Sequence, residues 1–398
     1  MSTSHETLGS GPTSREAGSI RQTDHDVLTR LVRVRWQTAP QRIEVVPAGL
    51  GQRRFYRVRL AAPEAPASVI ARLEPAPLSG RGALGSRAVS PEEAAPASAS
   101  ATEPMPVWLP EPPLEPLRGF LEDAGLPVPC SYFHDATLGI DLLEDVGDRK
   151  LSHAREVERE GLYREACSLV PRLQALEAAP DTIPAFGRVF DEALVITKAW
   201  KWIHWGLPGL LGRAPRPSER KAIEKGFRRV AEILGAAPRR LAHRDFKAEN
   251  LHRVSLPTSG ERLVMIDVQG AFLAPPEYDL VCLLSDLQVD LPERLIEGLF
   301  HEIVPQLPDR PSLEEASLRF DLLALLRVCK DVSHVVHARL EEGDSRRWSE
   351  IPRGLELIER AAGRLQTSLP ELRNLTSVIQ TLTRTARSAD GAIRGPGR

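Results

Sequence analysis

The chain has 398 residues, 42% of them hydrophobic and 27% charged, which is enough apolar mass for one large core or two smaller ones. Its formal net charge of −2 carries no sustained block of like charge, which argues against nucleic acid or an anionic membrane as a main partner. The four cysteines, Cys130, Cys167, Cys282 and Cys329, are far apart and form no C-x-x-C pair, so they read as buried reduced thiols and not as disulfides or zinc ligands.

Residues 1–22 are polar and rich in glycine and serine, and are expected to be disordered. Residues 1–18 lack the basic-then-apolar pattern of a signal peptide, and no apolar run reaches bilayer length, so the cytoplasm is the expected compartment. A first lobe is expected over 23–148. It begins with a helical stretch over 24–36, followed by a strand over 42–46 and a turn at Gly49-Leu50-Gly51. That glycine pair could let backbone amides approach a phosphate; an ordinary hairpin turn is the plainer alternative. Strands follow over 55–60 and 69–73, and the only base on the second is Arg72. Residues 75–106, rich in alanine, proline, serine and glycine, read as a disordered insertion. A helix over 114–124 is expected to pack on the first lobe, with Glu115, or else Glu111, as partner for Arg72; a solvated carboxylate is the alternative.

A second, mainly helical lobe is expected over 149–383, from apolar residues at helical spacing over 154–176, 217–234, 276–287, 291–303, 313–337 and 348–364. Pro238, Pro292 and Pro352 sit at starts or breaks. The tail 384–398 is polar and is expected to carry no fold.

Within the second lobe lies the run His243-Arg244-Asp245-Phe246-Lys247-Ala248-Glu249-Asn250, followed by Asp267 at the end of the apolar run Leu263-Val264-Met265-Ile266. An acid, an amide five residues on and a second acid after a hydrophobic strand are what phosphoryl transfer requires. Asp245 can accept the proton of an attacking hydroxyl, while Asn250 and Asp267 offer the hard oxygens that magnesium prefers. The plainer alternative is that Asp and Asn in loops bond their own backbone. Only a dozen residues separate Asp267 from Asp279, which opens the apolar helical run Leu280-Val281-Cys282-Leu283-Leu284. That leaves no room for an activation segment or a peptide platform, so a small-molecule acceptor is expected. Asp279 reads as a structural acid, capping that helix or orienting the catalytic loop through His243.

The run from His243 to Asn250, Ile266-Asp267-x-Gln269 and Tyr278-Asp279-Leu280-Val281-x-Leu283-Leu284 resemble the aminoglycoside phosphotransferase-like kinases. Within them the likeness is nearest to the bacterial anomeric kinases of N-acetylmuramic acid and N-acetylglucosamine. Arg53-Arg54-Phe55-Tyr56-Arg57-Val58 resembles the family's nucleotide-loop strand, and Leu142-Leu143-Glu144-Asp145-Val146-Gly147-Asp148 its lobe junction. The resemblance implies an α+β, protein-kinase-like two-lobe fold with a small antiparallel sheet and a helical second lobe. It also implies ATP and Mg2+ as cofactors and a sugar or amino-sugar acceptor; a monomer is expected. Asp245 would be the base, Asn250 and Asp267 the metal ligands, and Lys247 a stabiliser of transition-state charge.

The chain departs from the family at several positions. Gly270 follows Gln269 where the sugar kinases carry an acid, and Lys247 and Glu249 stand where they tend to have His and Arg. The usual strand lysine is missing, so either Arg72 takes the phosphate role, or Lys247 reaches the transferring phosphate, or metal and backbone hold the nucleotide. Trp200, Trp202 and Trp205 with His204 fall in the segment that often lines the family's acceptor site, where indoles would stack on sugar CH faces; packing of the lobe is the alternative for each. Arg327 and Lys330 could meet a carboxylate of the acceptor, or cover a helix face. Other acceptors such as an aminoglycoside, choline or a homoserine-like alcohol remain open, as does an inactive nucleotide-binding pseudokinase.

Overall fold

The computed structural model describes residues 20–47, 53–75, 112–255 and 260–393. They divide into two compact units, one from 20–75 with 129–146, the other from 112–128 with 147–393. The glycines of the expected phosphate turn, Gly49 and Gly51, lie outside the described residues, as do 1–19 and most of the 75–106 segment.

In the first unit, helix α1 (Gln22–Trp36) precedes strands β1 (Arg42–Val46), β2 (Arg54–Arg59) and β3 (Ser68–Leu73). After helix α2 (Leu117–Asp123), which belongs to the second unit, the chain returns to the first for β4 (Ser131–Asp135) and β5 (Ile140–Glu144). The five strands form an antiparallel sheet in the order β1-β2-β3-β5-β4. Period-two alternation sends Tyr56 and Val58 of β2 and Val69 and Ala71 of β3 into one core with Leu28 and Val32 of α1 and Leu142 of β5. Asp24 on α1 is buried in that layer. It accepts from Arg54 Nε at 2.7 Å and Tyr56 Oη at 2.6 Å, so the acid that would be costly alone is fully partnered.

The second unit is built on helices: α3 (Glu156–Gln174), α4 (Glu192–Lys201), α5 (Leu207–Leu211) and α6 (Pro217–Gly235). Four short strands follow, β6 (Arg240–Ala242), β7 (Leu251–Ser255), β8 (Glu261–Met265) and β9 (Phe272–Ala274), and then α7 (Tyr278–Leu284), α8 (Glu293–Ile303), α9 (Leu313–Glu341), α10 (Ile351–Ser368) and α11 (Arg373–Ile393). A π-helical turn, Trp202–Gly206, joins α4 to α5. Helix α9 is the spine, packed against α4, α7 and α10. It starts at a capping box in which Ser312 Oγ accepts from Glu315 N at 3.2 Å and Glu315 reaches back to Ser312 N at 3.0 Å. Among the described residues no helix is long and apolar enough to cross a membrane.

Two expectations are corrected here. Helix α2, expected with the first lobe, belongs to the second unit. It lies against the turn Val268–Gly270, with Phe120 edge-on to Phe186 at 5.9 Å. The tail also folds further than its polarity suggests, since α11 runs to Ile393. Its buried Leu375, Ile379, Leu382 and Ala386 recur at three- and four-residue spacing, an apolar stripe that a reading by polarity alone passes over.

Candidate active site

Two antiparallel ribbons place the site. β6 pairs with β9, and β7 with β8, so the loop from β6 to β7 carries His243 to Asn250 while the loop from β8 to β9 carries Asp267. Ile266 N donates to Asn250 O at 3.0 Å, and His243 Nε2 bonds Ile266 O at 2.9 Å. These two bonds tie the loops together. With Nε2 donating, His243 Nδ1 is free to accept from Asp245 N at 3.3 Å, which fixes the tautomer.

Asp279, at the start of α7, reaches into the catalytic loop. Its Oδ2 accepts from His243 N at 2.7 Å and its Oδ1 from Arg244 N at 3.1 Å, the second of the two structural roles that its position suggests. Burial raises the Asp279 carboxyl above its ordinary range, against the pull of those amides. Arg244 between them adopts φ +79°, a left-handed conformation that a non-glycine residue holds only where its surroundings enforce it. This twist presents Asp245.

The Asp245 carboxylate is held by cations. Oδ1 accepts from Arg327 Nη2 at 2.8 Å, and Oδ2 pairs with Lys247 Nζ at 3.2 Å. Arg327 also donates to Arg244 O at 3.1 Å and pairs with Asp331 at 3.3 Å, one turn along α9. Burial works to raise the proton affinity of Asp245, but the charges of Arg327, Lys247 and Lys330 outweigh it and hold the carboxyl well below the usual range. Arg327, read from sequence as a residue for the acceptor, is thus engaged with the base itself.

Asn250 Nδ2 donates to Asp245 O at 2.9 Å, and Asp267, in a left-handed conformation at φ +64°, accepts from buried Gln269 through Oδ1. Asn250 Oδ1 and Asp267 Oδ2 have no hydrogen-bond partner among the described residues. One amide oxygen and one carboxylate oxygen are a donor set that suits a hard divalent cation such as Mg2+. No cluster of three or more His, Cys, Asp or Glu exists among the described residues, so an all-protein cage of that kind is not offered there. Glu249 turns away from these groups, to Lys150 and to Ser152 Oγ at 3.0 Å.

Other sequence-predicted residues fall elsewhere. Arg72 is buried in the sheet of the first unit, with Nη1 on Asp141 at 2.6 Å and Nη2 on Glu74. Glu115 bonds Arg118, its neighbour one turn along the chain, so the expected Arg72–Glu115 pair is replaced by a local pair for each residue. Trp202 is fully buried and packs beneath Gly206, where an added Cβ would come within 2.6 Å of its ring; it is a core residue. Trp200 and His204, both half-buried, stack on each other at 4.6 Å, while Trp205 stacks on His337 of α9 at 4.1 Å.

Two groups beside the base escape a reading of the sequence. Lys198 and Lys201 of α4 are buried, 6% and 2% exposed, facing Arg327, Lys330 and Asp331 of α9. The available signal was two lysines three residues apart on an otherwise apolar helix. Asp286, which accepts from Ala248 N at 3.3 Å and so holds the far side of the loop, carries no motif at all.

Comparison with known proteins bears on the family and the fold. Residues 116–316, half of the chain, match the profile of the phosphotransferase enzyme family. An N-acetylmuramate/N-acetylglucosamine kinase of Pseudomonas putida is 26% identical over 290 residues, 70% of this chain and 81% of that protein. Its counterpart from Pseudomonas aeruginosa is 26% identical over 286 residues, 69% and 79% of the two chains. Among solved structures, an ADP-bound aminoglycoside phosphotransferase, APH(2'')-Ib, superposes with a TM-score of 0.51 at 12% identity, covering 89% of this chain and 99% of that one. A choline kinase of Streptococcus pneumoniae gives 0.50 at 16%, covering 87% and 100%. At such identities the likeness establishes the fold, which is α+β and kinase-like.

Proposed function

The chain belongs to the phosphotransferase enzyme family and is a small-molecule kinase with a hydroxyl acceptor; from that premise, we propose that it uses ATP and Mg2+ to phosphorylate the anomeric hydroxyl of N-acetylmuramate or N-acetylglucosamine. The observation that carries the phosphotransfer part is the Ile266–Asn250 bond, which ties the loop bearing Asp267 to the loop bearing Asp245 and Asn250. The names of the relatives support the sugar.

In this reaction the acceptor hydroxyl donates to an Asp245 oxygen, which orients it for attack and takes its proton. A base held so strongly ionised is weak, which suits a loose transition state in which the proton moves late. Lys247, already on the same carboxylate, stabilises charge on the transferring group. Asn250 Oδ1 and Asp267 Oδ2 would hold the metal, which when bound neutralises phosphate charge. Such a kinase works where ATP is, in the cytoplasm, and needs no second chain.

The test is transfer from labelled ATP with Mg2+ to both sugars, by the wild type and by Asp245→Asn. The wild type should form a sugar 1-phosphate, and the variant should lose about 10²–10⁴ in rate. Turnover of an aminoglycoside or choline in place of either sugar would overturn the acceptor. Nucleotide binding without turnover of any acceptor would overturn the enzyme.

A further inference from the structure

We propose that Lys198 and Lys330 form an anion subsite beside Asp245, which selects an acceptor bearing a carboxylate. This rests on the sugar-kinase reading and deepens it: of the two proposed acceptors, N-acetylmuramate carries an acid and N-acetylglucosamine does not.

The inference comes from accounting for partners. Basic groups gather around the base where α4 packs on α9: Lys198 and Lys201 from α4, Arg327 and Lys330 from α9, and Arg244 and Lys247 from the catalytic loop. Two carboxylates pair with them, while Asp286, also near Lys247 and Arg327, has its oxygens on the amides of Ala248 and Gln288. Asp245 is shared by Arg327 and Lys247, and Asp331 by Arg327 and Lys330, the latter at 2.6 Å. Asp279 is near but its two oxygens are taken by the amides of His243 and Arg244. Lys201 is accommodated as an amine: Nζ lies 2.7 Å from His334 Nε2 and 5.2 Å from the Trp205 ring centroid. Lys198 has no hydrogen bond and no ion pair among the described residues, although it is 6% exposed.

The Lys198 side chain is buried while its nitrogen keeps some access to water; an ammonium that loses that water without gaining a partner is costly, and each like charge nearby adds to the cost. Burial, then Lys330 and Arg327, lower the proton affinity of Lys198 well below its ordinary value, while Asp331 opposes them. An entering carboxylate reverses this: it supplies the missing negative charge, and Lys198 donates to it in its charged form. The Lys330 ammonium, half-buried and held by a single acid, Asp331, is the second donor of the subsite. A neutral sugar leaves the cost standing, so the site discriminates by the partner it lacks.

The experiment measures kcat and KM for both sugars and KM for ATP, in the wild type, Lys198→Met and Lys330→Met. The preference for N-acetylmuramate, as the ratio of kcat/KM values, should fall about ten- to hundred-fold in Lys198→Met, chiefly through KM for that sugar. An equal loss for both sugars would make Lys198 structural and sink the proposal. A rise in KM for ATP alone would assign the anion to the nucleotide and sink it too. If the wild type turns over neither sugar, the parent reading fails, and melting decides the subsite: a carboxylated sugar should raise the melting temperature of the wild type and not of Lys198→Met. Lys198→Met should itself melt no lower than the wild type, since it replaces a buried side chain whose nitrogen has no protein partner with an apolar chain of similar length.

Discussion

Asp245 is a base that its neighbours keep deprotonated, and the neighbour that does most is 82 residues away in sequence. Removing it should be visible as a change in titration. Arg327→Met should raise the proton affinity of Asp245, moving the acid limb of the pH–rate profile to higher pH, and lower kcat by about ten- to hundred-fold through the lost charge-assisted bond. A fall in rate with an unmoved profile would show that Arg327 only packs. A second carboxyl has the opposite environment. Asp321, buried on α9, is pushed up to about 6 by burial, against the pull of Arg364 at 3.6 Å. Between its ordinary value of 3.8 and about 6 the folded chain keeps a proton that the unfolded chain has released. Stability therefore falls as pH rises through that window, by roughly 1–3 kcal/mol from this group. Asp321→Asn should flatten the dependence, which urea unfolding at a series of pH values will read. At this scale the sequence discloses the local string: His243 to Asn250 and Asp267 stand at spacings that chemistry explains. Arg327, Lys198 and Asp286 act on the loop from afar, and no spacing announces them.

Helices read well from their periodicity where one face is apolar, as in α3, α6, α8 and α10. They read badly where packing decides. α2 is too short for its apolar residues to name the surface they cover, and Glu115 finds a nearer cation than Arg72. α11 was hidden by its polar face, yet its stripe is pressed against α6 closely enough that Gly226 would place a Cβ 2.5 Å from Leu375 Cβ. That contact is with the root of the side chain, which cannot swing aside. Gly226→Ala should thus cost about 1–3 kcal/mol through overpacking, despite a gain in helix propensity of up to about 1 kcal/mol. Chemical unfolding measures the balance, and a stabilised variant would mean that α11 moves freely on α6.

The molecule as a whole has two compact units with separate cores, a layered sheet and helix in one and a helical assembly in the other. Their unfolding should not be a single step. Trp36 is the one tryptophan of the first unit among the described residues, while Trp200, Trp202, Trp205 and Trp348 belong to the second. Urea unfolding should show two fluorescence transitions, of which Trp36→Phe removes one; coincident transitions for every probe would refute this. The β-rich and helix-rich stretches differ in sequence pattern, and the segment 112–128 falls in the second unit because contacts, not order along the chain, define a unit. Within the second unit, α9 carries both Arg327, which grips the base, and Lys330, proposed to grip the acceptor. A helix rises about 1.5 Å per residue, so those two grips are set about 4.5 Å apart along its axis, as marks on a ruler. A ruler of this kind has no intermediate marks. The next residue on that face is His334, already bound to Lys201, so an acceptor with a more distant acid cannot be reached by small adjustments. Acceptor preference among descendants of this chain should change in jumps of about one helical turn, each requiring a new cation on α9 and the loss of an old one.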